Sequence, residues 1–158
     1  MTATLPRDYR DMLECMLRHQ VEFLLVGDWA VAVHGHQRAT KDIDLFVHPT
    51  QENAARVLRA LADFGAPLAG LTALDFAEPG LVFQIGTSLR IDITTLIDGL
   101  DWPAAAQGAI SVEVDGLRVP VIGRDALVAN KLAAGRKQDL ADAEALQRGS
   151  VRGKRGDP

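Results

Sequence analysis

"VGDWAVAVHGHQRATKDIDLFV", residues 26–47, sets two carboxylates at the head of an apolar run. Its end, Ile43 to Val47, has the look of a buried strand, yet Asp42 and Asp44 sit one residue apart at its start. An apolar strand normally excludes aspartate, because an ionised carboxylate taken out of water costs more than one residue's packing returns. Side chains alternate faces along a strand, so both aspartates point one way while Ile43 and Leu45 point into the core.

Working outward, "VEFLLV" (21–26) is a short apolar run of strand type stopped by Gly27, and "WAVAVHG" (29–35) is a small-residue helix closed by Gly35. A third aspartate, Asp92, lies in "RIDIT" between Ile91 and Ile93. If the two aspartate-bearing strands are neighbours, three carboxylates converge on one patch and repel unless something positive sits among them. Magnesium takes a few carboxylates together with substrate phosphate oxygens, and manganese is its usual substitute. Two such ions can activate an attacking oxygen and stabilise a leaving one. The alternative is an edge strand with Asp42 and Asp44 facing solvent and Asp92 unrelated to them.

The rest of the chain is an α/β (α+β) alternation. The spacing of Tyr9, Met12, Leu13 and Met16 predicts a helix over 6–19, with Pro6 in its first turn. "TQENAARVLRALADFG" predicts a helix capped by Thr50, striped by Val57, Leu58, Leu61 and Phe64, and ended by Gly65. Residues 81–86 and 88–97 read as a hairpin, and residues 110–122 as a second one turning at Asp115-Gly116. Helices over 124–134 and 137–147 follow, separated by Gly135. The expected architecture is a mixed or antiparallel sheet of about four to six strands with helices packed on it. It forms a single domain over 1–147, followed by a basic, disordered tail over 148–158.

Composition narrows the function classes. The chain has 158 residues, a net charge of −4 and one cysteine, Cys15, with a pI near 5.5. One cysteine excludes an intrachain disulfide or a cysteine-rich zinc site. No overall positive field draws the protein to nucleic acid or an anionic membrane. No apolar run approaches the roughly 20 residues of a membrane span, and the first residues lack an apolar signal core, so a cytoplasmic protein is expected. His34 and His36 in "HGH" lack further nitrogen or sulfur ligands nearby; His34 suits the negative end of a helix. Trp29 reads as core and Trp102 as loop-anchoring packing.

Strand, glycine, helix, then a strand bearing Asp-x-Asp is a phosphate-handling order. Gly27 lets backbone approach a phosphate, and the helix after it presents N–H groups. At this point "LLVGDWAVAVHGHQRATKDIDLFV" resembles the signature of the nucleotidyltransferase superfamily with the DNA polymerase β type of fold, and "RIDIT" is similar to its third carboxylate strand. "HGHQRATKDIDL" and "DALVANKLAAGRKQDLADAEAL" resemble small bacterial members related to the AbiEii and MenT-type toxins of toxin–antitoxin systems.

The resemblance implies a Mg²⁺- (or Mn²⁺-) dependent nucleotidyltransferase. It would move a nucleoside monophosphate from a nucleoside triphosphate to an acceptor on tRNA, protein or a small molecule. A cognate toxin or antitoxin would be a further partner, and no membrane is involved. It implies Asp42, Asp44 and Asp92 as metal ligands and catalytic residues, with Asp92 helping to deprotonate the acceptor. Gly27 and its neighbours would cradle phosphates, and Lys131 would neutralise the triphosphate.

By strand parity Arg38 and Thr40 share the face of Asp42 and Asp44, so both are candidates for phosphate contact. The position after the glycine is usually Ser or Gly in the superfamily; here it is Asp28. A carboxylate aimed at a triphosphate is repulsive, so Asp28 either turns away or changes nucleotide binding. A module of the same fold that binds a nucleotide or partner and has lost turnover is therefore the second expectation.

Overall fold

The computed structural model describes residues 5–36 and 40–155, with side chains as far as residue 149. In chain order the elements are α1 (Arg7–Arg18), β1 (Phe23–Val26), α2 (Gly27–Val33), β2 (Asp42–Val47), α3 (Gln51–Phe64), α4 (Ala73–Phe76), β3 (Val82–Ile85) and β4 (Arg90–Thr94). They continue as α5 (Trp102–Ala106), β5 (Ile110–Val114), β6 (Leu117–Val121), α6 (Arg124–Ala134) and α7 (Lys137–Arg155). Arg38 lies outside the described residues.

The strands form one six-stranded sheet in the order β3-β4-β2-β1-β6-β5. It is mixed: β1 with β6 and β2 with β4 run parallel, whereas the β1–β2, β3–β4 and β5–β6 pairs run antiparallel. The central strands β1 and β2 carry Leu24, Leu25, Ile43, Leu45 and Phe46, all buried. Rows of paired residues set the faces. Leu25, Leu45, Ile93 and Phe83 form one row, and Val26, Asp44, Asp92 and Gln84 form a row on the other face. Phe46, two residues past Asp44 and so on its face, packs edge-on against Trp102 of α5 at 5.3 Å.

Local chemistry explains the supporting elements. α1 buries Tyr9, Met12, Leu13 and Met16, an i, i+3, i+4, i+7 stripe, together with Cys15, and packs against α3. Thr50 caps α3 by accepting from the Asn53 backbone N–H. The Asn53 side chain accepts from the Glu22 N–H at 2.7 Å and donates to the Glu22 and His48 carbonyls. This fully buried amide thus ties α3 to the entry of β1 and the exit of β2. Asp115 and Gly116 both take positive φ in the β5–β6 turn, which is the conformation that lets a two-residue hairpin follow strand twist.

Several expectations shift. α2 starts at Gly27 rather than Trp29, and β1 and β4 are shorter than their apolar runs. A short helix outside the predicted elements, α4, starts at a Thr72–Asp75 capping box and carries a fully buried Phe76. In α6 the inward positions are Leu127 and Lys131, one turn apart, whereas Leu132 is half exposed. α7 runs on to Arg155, past residue 147. No helix among the described residues is long and apolar enough to cross a membrane.

Candidate active site

The parallel pairing of β2 with β4 sets Asp44 directly beside Asp92, and Asp42 beside Arg90. Asp92 is buried, and Asp44 is half-buried. Burial, then the charge of Asp92 and a hydrogen bond to it, push the Asp44 carboxyl up to about 7. The charges of Asp42 and Asp28 act in the same direction. Two adjacent carboxylates cannot both ionise cheaply without a cation between them.

The antiparallel pairing on the other side sets Asp44 against Val26, so the chain leaves β1 under the Asp44 carboxylate. Gly27 occupies that corner with φ of +69°, and a Cβ there would stand 2.3 Å from Asp44 Oδ2. Glycine is therefore required twice over, by conformation and by space.

Arg90 is the residue that the sequence reading missed. Its Nη2 lies 3.2 Å from Asp42 Oδ2 and donates to Asp92 Oδ2 at 3.4 Å, while its Nε stands 3.3 Å from Asp92 Oδ1. It supplies the positive charge that three neighbouring aspartates demand. Only the β2–β4 register brings it there; "RID" taken alone gives no signal.

Asp44, Asp92 and Gly27 open into a cleft of about 370 Å³. Across it stand Lys131 of α6 and Arg136, with Val82 and Leu96 as exposed apolar rim residues. Lys131 is buried, with Nζ 3.2 Å from Asp142, 3.4 Å from Asp139 and 3.7 Å from Asp28. Asp28 thus faces a lysine, which accounts for a carboxylate following the glycine. Asp139 also takes hydrogen bonds from the Arg136 backbone N–H and guanidinium. Burial alone would raise its pKa, but Arg136 and Lys131 outweigh burial and hold it below the ordinary carboxylate value. Arg136 is the exposed cation of the cleft, its side chain 81% accessible.

Of the expected site residues, Gly27, Asp44, Asp92 and Lys131 line one cleft. Asp28 borders it through Lys131. Asp42 sits at the start of β2, engaged by Arg90. Thr40 turns onto its own chain, its hydroxyl donating to the Asp42 carbonyl at 3.1 Å and accepting from the Asp42 N–H.

A divalent cation fits the Asp44–Asp92 end of this set. Both side chains offer hard oxygen donors, and Asp92 Oδ1 is buried without a hydrogen-bond partner. Among the described residues, no group of three His, Cys, Asp or Glu side chains is gathered closely enough to hold an ion as it stands. Bringing in Asp42 requires Arg90 to release it.

The backbone is similar to solved structures across most of its length. The antibiotic-resistance factor ANT(2'')-Ia matches with a TM-score of 0.62 at 15% identity, covering 91% of this chain and 82% of that one. The lincosamide antibiotic adenylyltransferase LnuA, solved with lincomycin bound, matches at 0.57 and 17% identity, covering 91% and 97%. TM1012 from Thermotoga maritima matches at 0.57 and 18% identity, covering 90% and 89%. At such identities these matches show a shared fold. No curated protein matches the chain. The family described as "Nucleotidyl transferase of unknown function (DUF2204)" matches residues 6–154, and the chain belongs to that family.

Proposed function

We propose that this nucleotidyl transferase family member moves a nucleoside monophosphate from a nucleoside triphosphate to an acceptor hydroxyl or phosphate, using Mg²⁺ or Mn²⁺ held by Asp42, Asp44 and Asp92. The observation that carries the reading is the register that sets Asp44 beside Asp92 over Gly27, at the mouth of a cleft whose far side carries cations.

When bound, the metal neutralises phosphate oxygens as a Lewis acid. The chain's own residues do the remainder. Gly27, having no side chain, lets the triphosphate approach the backbone beside Asp44. Lys131 and Arg136 oppose the triphosphate's charge from across the cleft. Asp92, with one oxygen free of hydrogen bonds, receives the acceptor's proton as the acceptor oxygen bonds to the α-phosphorus. The bond from that phosphorus to the bridging oxygen breaks, and pyrophosphate leaves. Positioning and electrostatics supply most of the rate enhancement.

A second reading, a binding module of the same fold without turnover, is favoured by one observation. Lys131 is already surrounded by Asp28, Asp139 and Asp142, which weakens its pull on phosphate. A place in a toxin–antitoxin pair, with a cognate partner, rests on the likeness of residues 34–45 and 125–146 to such proteins.

Isothermal titration with ATP, GTP, CTP and UTP plus Mg²⁺, followed by label transfer to tRNA, cell protein and small hydroxyl-bearing molecules, separates the readings. Label on any acceptor supports the enzyme and names its acceptor class. Binding without transfer supports the module. Absence of nucleotide binding contradicts both.

A further inference from the structure

Arg90 belongs to the carboxylate cluster, yet neither the family resemblance nor the reaction chemistry assigns it a part. Its guanidinium lies between Asp42 and Asp92, on separate strands, within 3.4 Å of both. The fit is poor at one point. Arg90 Nε and Asp92 Oδ1 approach to 3.3 Å, but both atoms are buried and neither makes a hydrogen bond. A well-mated guanidinium–carboxylate pair aligns two parallel N–H···O bonds. Here charge is balanced while the hydrogen-bonding capacity of Asp92, only 8% exposed, is left partly unused.

The Arg90 side chain is 39% exposed, so it has solvent on one side into which it can swing. Asp42 is similarly exposed at 42% and can follow a new partner. Lys131, by contrast, is enclosed by three carboxylates. The cluster therefore has one cation built to stay and one built to leave.

We propose that Arg90 is a resident counter-ion that holds Asp42 and Asp92 in the absence of substrate and competes directly with the divalent cation for them. The inference rests on the nucleotidyl-transfer reading for the identity of the competing cation. Arg90 is on this account a positioning residue: it keeps the cluster from repelling itself while empty and sets a threshold for metal entry. The metal alone then binds weakly, and metal accompanied by triphosphate binds well, because the phosphates give the released guanidinium a new anionic partner.

The experiment titrates Mn²⁺ into the full chain by isothermal calorimetry, first without nucleotide and then with ATP present, for wild type, Arg90→Gln and Arg90→Lys. Losing two partly exposed ion pairs as competitors should tighten Mn²⁺ binding about five- to tenfold in Arg90→Gln. Arg90→Lys, which keeps the charge but not the fork, should fall between. Melting in EDTA should drop for Arg90→Gln, with a larger rise on adding Mn²⁺ than wild type shows. Unchanged or weaker Mn²⁺ binding in both variants overturns the inference while leaving the nucleotidyl-transfer reading intact. Absence of Mn²⁺ binding in all three proteins, with and without ATP, overturns both.

Discussion

Asp44 concentrates the tension in this protein. Its carboxyl titrates near 7 in the folded chain, against 3.8 for an unperturbed aspartate, so the folded state holds that proton more tightly than the unfolded state does. The stabilisation from the protonated form is complete below pH 3.8 and is lost as pH rises towards 7. In metal-free buffer, Asp44→Asn should therefore be more stable than wild type at pH 8, by about 1–3 kcal/mol, with the gap narrower at pH 5. Urea unfolding at both pH values checks this. An equal gap at both values would mean that Asp44 does not titrate between them. Gly27→Ala acts on the same corner from the other side. With φ of +69° and a Cβ 2.3 Å from Asp44 Oδ2, it should cost about 2–4 kcal/mol, read as a fall in melting temperature. A variant that melts with wild type would show that the corner relaxes freely.

At the scale of elements, β2 and the Gly27 corner were legible because a short window contains their whole signal: an apolar run, a glycine, and two aspartates with strand parity. The second hairpin was equally plain, since Asp115-Gly116 names its turn chemistry. α4 and α5 were not legible. Each has four or five residues, too few for a periodic stripe, and each is held by local caps such as Asp101 accepting from the Ala104 N–H. The Lys131 cage was half legible. The family resemblance singled out the lysine, but its carboxylates come from α2 and α7, and only tertiary packing of α6 on α7 gathers them. Arg90 was invisible for the same reason, its partner Asp42 lying on another strand.

The cage makes its own prediction. Lys131→Met leaves buried Asp139 and Asp142 without their lysine, and should destabilise the fold by about 3–5 kcal/mol in urea. A loss under about 1 kcal/mol would show that water or Arg136 replaces the ammonium. Because Asp139 sits below the ordinary carboxylate value, its contribution is present above its unfolded pKa and is lost as pH falls through the lower folded value.

At the scale of the whole molecule, a mixed six-stranded sheet sets Asp44 and Asp92 across a cleft from Lys131 and Arg136, with the lysine already paired to carboxylates, in a chain of net charge −4. The fold class was legible because the alternation of strand and helix patterns along the chain and the glycine corner are local signals, whereas the order of strands in the sheet is not. Sequence reading reached the acidic side because parity and apolar flanks mark each aspartate. It could not reach the balance of charge within the cleft, which depends on register and helix docking.

If the cleft is a nucleotide site, Mg²⁺ with the preferred triphosphate at about 100 times its Kd should add about 2.7 kcal/mol of stability, visible as a rise in melting temperature. No rise with any of the four common triphosphates would count against it.

Asp44 and Asp92, two carboxylates on adjacent parallel strands, form the proposed reaction centre for nucleotidyl transfer. Its most direct test compares wild type and Asp92→Asn in Mg²⁺-dependent transfer of label from an α-phosphate-labelled triphosphate, at equal folded concentration. Asp92→Asn should lose at least about 100-fold in rate. Transfer by Asp92→Asn within a few-fold of wild type would contradict a catalytic role for this carboxylate pair.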